Sequence, residues 1–240
     1  EMTSSLVGSE MCIRDRLFYC VGCANVHHND TFSIYWLGSS VTYGYATNGY
    51  SMADVIAEHT DTDFYKNAVS GTTLQVSGLN EGRSYVERFE SSDMQRMEAP
   101  DIFIIQLSTN DAIPKYFENV GAPTPYDIRS PSLFERTTTC GALEYIISSA
   151  INKWDCEIAI YTNPYYDSAN YSMLVECAKT IALKWDVIFV DMYNDVDFNL
   201  LRKDAYMFDN IHPTIEGYSE WIAPYMEEKL GMSDMVTNKQ

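Results

Sequence analysis

The chain has 240 residues, 46% of them hydrophobic and 21% charged, which is enough to bury one full core and too apolar for a disordered chain. Its 16 Lys and Arg against 34 Asp and Glu give a net charge of −18. Such a charge repels phosphate backbones and anionic lipid surfaces, so nucleic acid is excluded as a partner class, and no apolar run reaches the ~18 residues of a transmembrane helix.

The first 16 residues, Glu1 to Arg16, resemble translated adapter read-through and are set aside from fold reasoning. The next stretch, Leu17-Phe-Tyr-Cys-Val-Gly-Cys23-Ala-Asn, reads either as the end of a bacterial lipoprotein signal with Cys23 as the lipid-bearing residue or as an irregular tail. On the first of these an extracytoplasmic location is preferred. Cys20 and Cys23 precede His27-His28, but no second Cys pair follows at zinc spacing, so no metal site is assigned. Cys140, Cys156 and Cys177 lie in or beside apolar segments and read as small buried hydrophobes.

The first ordered signal is Ile34-Tyr-Trp-Leu-Gly-Ser-Ser40-Val-Thr-Tyr-Gly44, an apolar run that ends in Gly-Ser-Ser. This is the pattern of a buried strand turning sharply into a helix. A serine at that corner exposes its hydroxyl and presents its N–H at a helix start, as a nucleophile requires. Taken alone, such a segment is more often a plain turn. A helix is expected over Ser51–His59, then a short strand near Phe64–Asn67, then Asn67-Ala-Val-Ser-Gly71, whose glycine can offer a backbone N–H. A helix over Ser84–Met97 leads to the apolar strand Asp101–Leu107 and to Ser108-Thr-Asn110-Asp111. Asn110 supplies a side-chain donor there, or caps a turn.

The Pro-containing segment Ala112–Thr139 is long for a simple connection and reads as a binding loop or a surface excursion. Helices over Gly141–Trp154 and Ala169–Trp185 flank the strand Glu157–Thr162, and Asp186–Asp191 is the last strand. Phe208-Asp209-Asn-Ile-His212 precedes a helix over Pro213–Leu230, with Pro213 at its first position. A carboxylate three residues before a histidine can orient the imidazole and free its other nitrogen to take a serine proton.

Strand and helix alternate, and the strands are continuously apolar. The expected fold is therefore α/β, a single-domain three-layer α/β/α sandwich around a mostly parallel, flavodoxin-like five-stranded sheet. The domain is placed at residues 33–232, with tails at 1–32 and 233–240. Ser40, Gly71, Asn110 and His212 all fall at the carboxyl edge of that sheet, where such folds bind ligands. No phosphate-binding Gly-rich loop is present, which argues against a nucleotide-binding protein.

Four blocks in this order resemble the SGNH hydrolases, also called the GDSL esterase/lipase superfamily. Gly38-Ser-Ser40-Val-Thr-Tyr-Gly44 is similar to its Gly-Asp-Ser block with Ser39 in place of Asp. Gly71 stands for the second block, and Ser108-Thr-Asn110-Asp111 for Gly-x-Asn-Asp with Ser108 in place of Gly. Asp209-Asn-Ile-His212 stands for the last block.

The resemblance implies ester hydrolysis with Ser40 as nucleophile, His212 as base and Asp209 as its orienting acid. Ser40, Gly71 and Asn110 would form the oxyanion hole, without metal or organic cofactor. Tyr43, Asp111 and Tyr165 are expected to contact substrate, which is taken as a small acyl ester, with an O-acetyl group on carbohydrate as one candidate. Lipase, lysophospholipase or thioesterase activity, and a non-catalytic carbohydrate-binding member of the fold, stay open beside it. The oligomeric state is not fixed by the sequence.

Overall fold

A computed structural model describes residues 31–79 and 81–236. The expectations for Cys20, Cys23, His27 and His28, and for the lipoprotein-like segment, lie outside the described residues. Five strands form one sheet: β1 (Ser33–Gly38), β2 (Asp63–Ala68), β3 (Ile102–Gln106), β4 (Glu157–Tyr161) and β5 (Ile188–Val190). Their order is β2-β1-β3-β4-β5, and every pairing is parallel, so the mostly parallel expectation is exceeded.

Parallel strands need both faces covered, and the strand period of two divides their side chains between two cores. Leu37, Phe103, Ile105, Ile158 and Ile160 pack on one face with the helices Thr139–Lys153 and Ala169–Trp185. Ile34, Trp36, Ile102, Ile104 and Tyr161 pack on the other with the helix Met52–Thr60 and the C-terminal helical segment. The result is the expected three-layer α/β/α arrangement. The helix Ala169–Trp185 has the expected bounds.

Two expected helices differ from the observed ones. The segment 84–97 is two short helices, Tyr85–Phe89 and Ser92–Arg96, because the Ser91 hydroxyl accepts from Met94 N–H at 3.4 Å and starts a new helix. The segment after His212 begins not at Pro213 but at Ile215, with the Thr214 hydroxyl as its cap. Pro213 is instead drawn into an antiparallel bridge with Met207. The next turn, Tyr218–Ile222, is a π-helix, followed by the helix Ala223–Lys229. Pro224 lacks the N–H that a regular α-turn would send to Glu220, and a widened turn accommodates that loss.

The long connection 112–139 is strapped to the body. Glu144 and Lys184, with side chains 0% and 4% exposed, form an ion pair between the two long helices. Thr124 joins them: its N–H donates to Glu144 at 2.9 Å, and its hydroxyl donates to Glu144 at 3.0 Å while accepting from Lys184 at 2.6 Å. A second anchor lies at the start of the same connection. Asp111 is wholly buried and accepts from Leu74 N–H at 2.8 Å and from the Thr139 hydroxyl at 3.0 Å. Burial pushes its carboxyl up to about 6, against the opposing pull of the Leu74 N–H and the Thr139 hydroxyl.

Lys184→Met leaves the Glu144 charge buried without its cation and should cost about 3–5 kcal/mol in urea unfolding. A loss under about 1 kcal/mol would show that the strap carries no weight. Asp111 has its own signature in pH. A carboxyl raised above its unfolded value of about 3.9 binds more protons folded than unfolded, so its contribution is full at low pH and lost as pH rises toward 6. The stability of the parent relative to Asp111→Asn should therefore fall by on the order of 2 kcal/mol between about pH 4 and 6.5. A difference independent of pH would contradict this.

Candidate active site

β1 ends at Gly38, and the chain turns at once into the short helix Ser40–Tyr43. The turn is closed by Tyr43 N–H donating to the Ser39 carbonyl at 2.8 Å and Gly44 N–H donating to the Ser40 carbonyl at 3.0 Å. Ser40 is 7% exposed, and its Oγ lies 2.9 Å from His212 Nε2.

His212 sits on the loop between the short helix Asp204–Tyr206 and the helix that begins at Ile215. That loop is held from three sides. Phe208 N–H donates to the His212 carbonyl at 2.8 Å. Asp209 Oδ1 accepts from the N–H groups of Ile211 and His212, both at 2.7 Å. Asn163, buried at the end of β4, donates through Nδ2 to the Ile211 carbonyl at 3.0 Å. Asp209 Oδ2 lies 2.8 Å from His212 Nδ1. A carboxylate there places the ring proton on Nδ1, so Nε2 is bare and accepts from the Ser40 hydroxyl. Burial pushes the Asp209 carboxyl up, but the His212 ring and the two backbone N–H groups outweigh it and hold the group below its ordinary value. The Asp209 side chain is 45% exposed, so water screens part of its pull on the imidazole.

Gly71 follows β2 with φ at +77°, and nothing lies within 4 Å of where its Cβ would stand. The glycine is required by backbone conformation rather than by crowding. Asn110 is tied to the same loop, because its Nδ2 donates to the Thr72 carbonyl at 3.0 Å. A carboxamide has two such hydrogens, so one stays available for a ligand. Ser108 is buried, accepts from Asn110 N–H at 3.1 Å and donates to the Thr72 carbonyl at 3.1 Å. The extra side chain at 108 thus braces the loop from inside rather than narrowing the pocket.

Tyr43 and Tyr165 are 42% and 50% exposed at the carboxyl ends of β1 and β4. Asp111, expected to contact substrate, does not: it is wholly buried, with both oxygens turned to Leu74, Gln75 and Thr139. A turn signal of the Asn-Asp type does not reveal which way its side chain faces. Tyr45 also stands at the site, its ring 4.8 Å from that of His212. His59 is engaged elsewhere, 2.8 Å from Glu227.

Two buried polar residues escaped the sequence. Arg88 donates to the Gly38 carbonyl at 2.8 Å, to the Asn67 carbonyl at 2.6 Å and to Thr72 Oγ1 at 3.3 Å. Gln106 reaches under the Ser40 turn from the end of β3. The available signal was a polar residue inside an apolar helix or strand.

Among the described residues, no group of three or more His, Cys, Asp or Glu side chains is placed to hold a metal ion, and no helix is long and apolar enough to cross a membrane. The arrangement can pass a proton from Ser40 Oγ to His212 Nε2 and stabilise the resulting imidazolium through Asp209.

A protein from Lactobacillus plantarum is similar in structure at a TM-score of 0.63 and 17% identity, over 86% of this chain and 99% of that one. An inhibitor-bound aryl esterase from M. smegmatis is similar at 0.59 and 13%, over 84% and 99%. A family two carbohydrate esterase from Clostridium thermocellum in complex with cellohexaose is similar at 0.58 and 16%, over 84% and 65%. At these identities the likeness shows the α/β fold alone. Among curated proteins none matches the sequence significantly. Residues 36–219, well over half of the chain, match the GDSL-like Lipase/Acylhydrolase family, and the protein belongs to it.

Proposed function

We propose that the protein is a serine esterase that hydrolyses small acyl esters through an acyl-enzyme. The observation that carries this is the unbroken line from Asp209 Oδ2 to His212 Nδ1 at 2.8 Å and from His212 Nε2 to Ser40 Oγ at 2.9 Å. His212 takes the Ser40 proton as Oγ attacks the ester carbonyl, and Asp209 stabilises the imidazolium. The carbonyl π electrons move onto oxygen, where the N–H groups of Ser40 and Gly71 and the second Asn110 amide hydrogen would receive them. Collapse of the tetrahedral species expels the alcohol, which takes its proton from His212. Water, deprotonated by the same base, then attacks the acyl-enzyme and releases the acid.

Carbohydrate O-acetyl groups are the favoured substrate class. Exposed tyrosines at 43, 45 and 165 suit the apolar faces of sugar rings, and the likeness to a carbohydrate esterase agrees with it. Ile113, Phe208 and Ile215, which are 42%, 66% and 51% exposed beside Asn110, Asp209 and His212 in sequence, favour a second reading with longer acyl chains.

Purified protein should turn over p-nitrophenyl acetate and react with a fluorophosphonate probe, and Ser40→Ala should abolish both. Turnover by Ser40→Ala equal to the parent would falsify the assignment. A folded parent that ignores the probe would point to a non-catalytic member of the fold. Asn110→Ala should lower kcat by about 10²–10³, the usual loss for one oxyanion donor; an unchanged kcat would remove Asn110 from the oxyanion hole. Acetate release from acetylated xylan should exceed hydrolysis of octanoyl esters, and the reverse order would favour the longer-chain reading.

A further inference from the structure

Gln106 is the last residue of β3, and its side chain is wholly buried under the turn that carries Ser40. Its Oε1 accepts from Ser39 N–H at 2.7 Å and from the Thr42 hydroxyl at 2.7 Å. The Ser39 hydroxyl at 3.3 Å and Thr42 N–H at 3.4 Å converge on the same oxygen. The amide cannot be turned over, because a backbone N–H can only donate and the atom facing Ser39 must therefore be oxygen. The proton order follows from this. Thr42 gives its one hydroxyl proton to Gln106, so the Tyr161 hydroxyl, 2.6 Å away, donates to Thr42. Tyr161 is the last residue of β4.

The residues on either side of Ser40 are thus held from β3 through one carbonyl oxygen, and Thr42 also from β4 through the Tyr161 hydroxyl. Gly38 leaves the room for it: a Cβ there would stand 1.7 Å from Thr42 Oγ1 and 2.9 Å from Gln106 Oε1. Gln106 Nε2 has no partner among the described residues. A buried N–H without a partner is costly, so the useful half of this side chain is its oxygen.

We propose that Gln106 is a positioning residue for the reaction at Ser40. Its carbonyl oxygen fixes residues 39 and 42, and with them the line of Ser40 Oγ to His212 and the direction of the Ser40 N–H. It supplies an acceptor from β3 in a chain where position 39 carries serine instead of a carboxylate. This rests on Ser40 as the nucleophile.

The test compares Gln106→Leu, Gln106→Glu and Ser40→Ala with the parent in thermal unfolding and in kcat and KM for p-nitrophenyl acetate. Gln106→Leu should lower kcat by about 10–100-fold with KM within about twofold, the range that follows from a small displacement of reacting atoms. Gln106→Glu keeps an acceptor oxygen and should recover most of that loss. A folded Gln106→Leu with the parent's kcat overturns the proposal, and so does a Gln106→Glu no faster than Gln106→Leu. Should Gln106→Leu fail to fold, Thr42→Val replaces it: loss of kcat at constant KM is expected, and the parent's kcat overturns the proposal. An active Ser40→Ala removes the nucleophile assignment and this inference together. An inactive Ser40→Ala beside a fully active, folded Gln106→Leu removes this inference alone.

Discussion

A guanidinium that forms no ion pair among the described residues holds the carboxyl edge of the sheet together. Arg88 is 8% exposed and donates to the Gly38 carbonyl at the end of β1, to the carbonyl and side chain of Asn67 in β2, and to Thr72 beside Gly71. Burial lowers its pKa to about 10, which still leaves it charged at neutral pH. Removing a cation from water costs several kcal/mol, and hydrogen bonds to a charged group return about 1.5–3 kcal/mol each. Several such bonds are needed to offset that loss, and Arg88 has them because three segments end around it. The planar fork matters as much as the charge, since an ammonium could not reach all of these acceptors in fixed directions.

Around that centre the edge is built from buried polar side chains at strand ends. Gln106 holds the Ser40 turn from β3, and Asn163 holds the His212 loop from β4. Asp111 and Ser108 brace the loop that carries Gly71. Each proposed reacting group sits on a short, irregular segment, and each segment is pinned by a buried polar residue in a strand or in the turn that follows one. Rigid strands thereby lend their precision to loops that would otherwise be loose.

What the sequence made legible follows from burial on two sides. Parallel strands covered by helices are continuously apolar, so β1, β3 and β4 stand out, and Ser40 and Asn110 can be placed at one edge from strand ends alone. Helix limits were less legible where one hydroxyl decides them, as Ser91 does between two short helices, or where a distant partner claims a residue, as Met207 claims Pro213. Asp111 was placed at the substrate because a turn motif gives position but not side-chain direction, and only the packing of Leu74 and Thr139 turns it inward. For Arg88 and Gln106 the residue type was legible but not its role. A polar residue in an apolar segment shows that something unusual is buried, and its partners lie up to 67 positions away.

Ser40 and His212 are separated by 172 positions and belong to the opposite ends of the described fold. Bringing them together requires β1, β3 and β4 to be paired and the C-terminal helical segment to be docked on its face of the sheet. Contacts of such high sequence separation form late, after the loop-closure entropy of everything between them has been met. A chain that has gained its secondary structure but not its last helix would look nearly complete by circular dichroism and lack the base proposed for Ser40. The site therefore doubles as a reporter of complete folding: chemistry would be the last property to return on refolding and the first to vanish when the C-terminal segment frays.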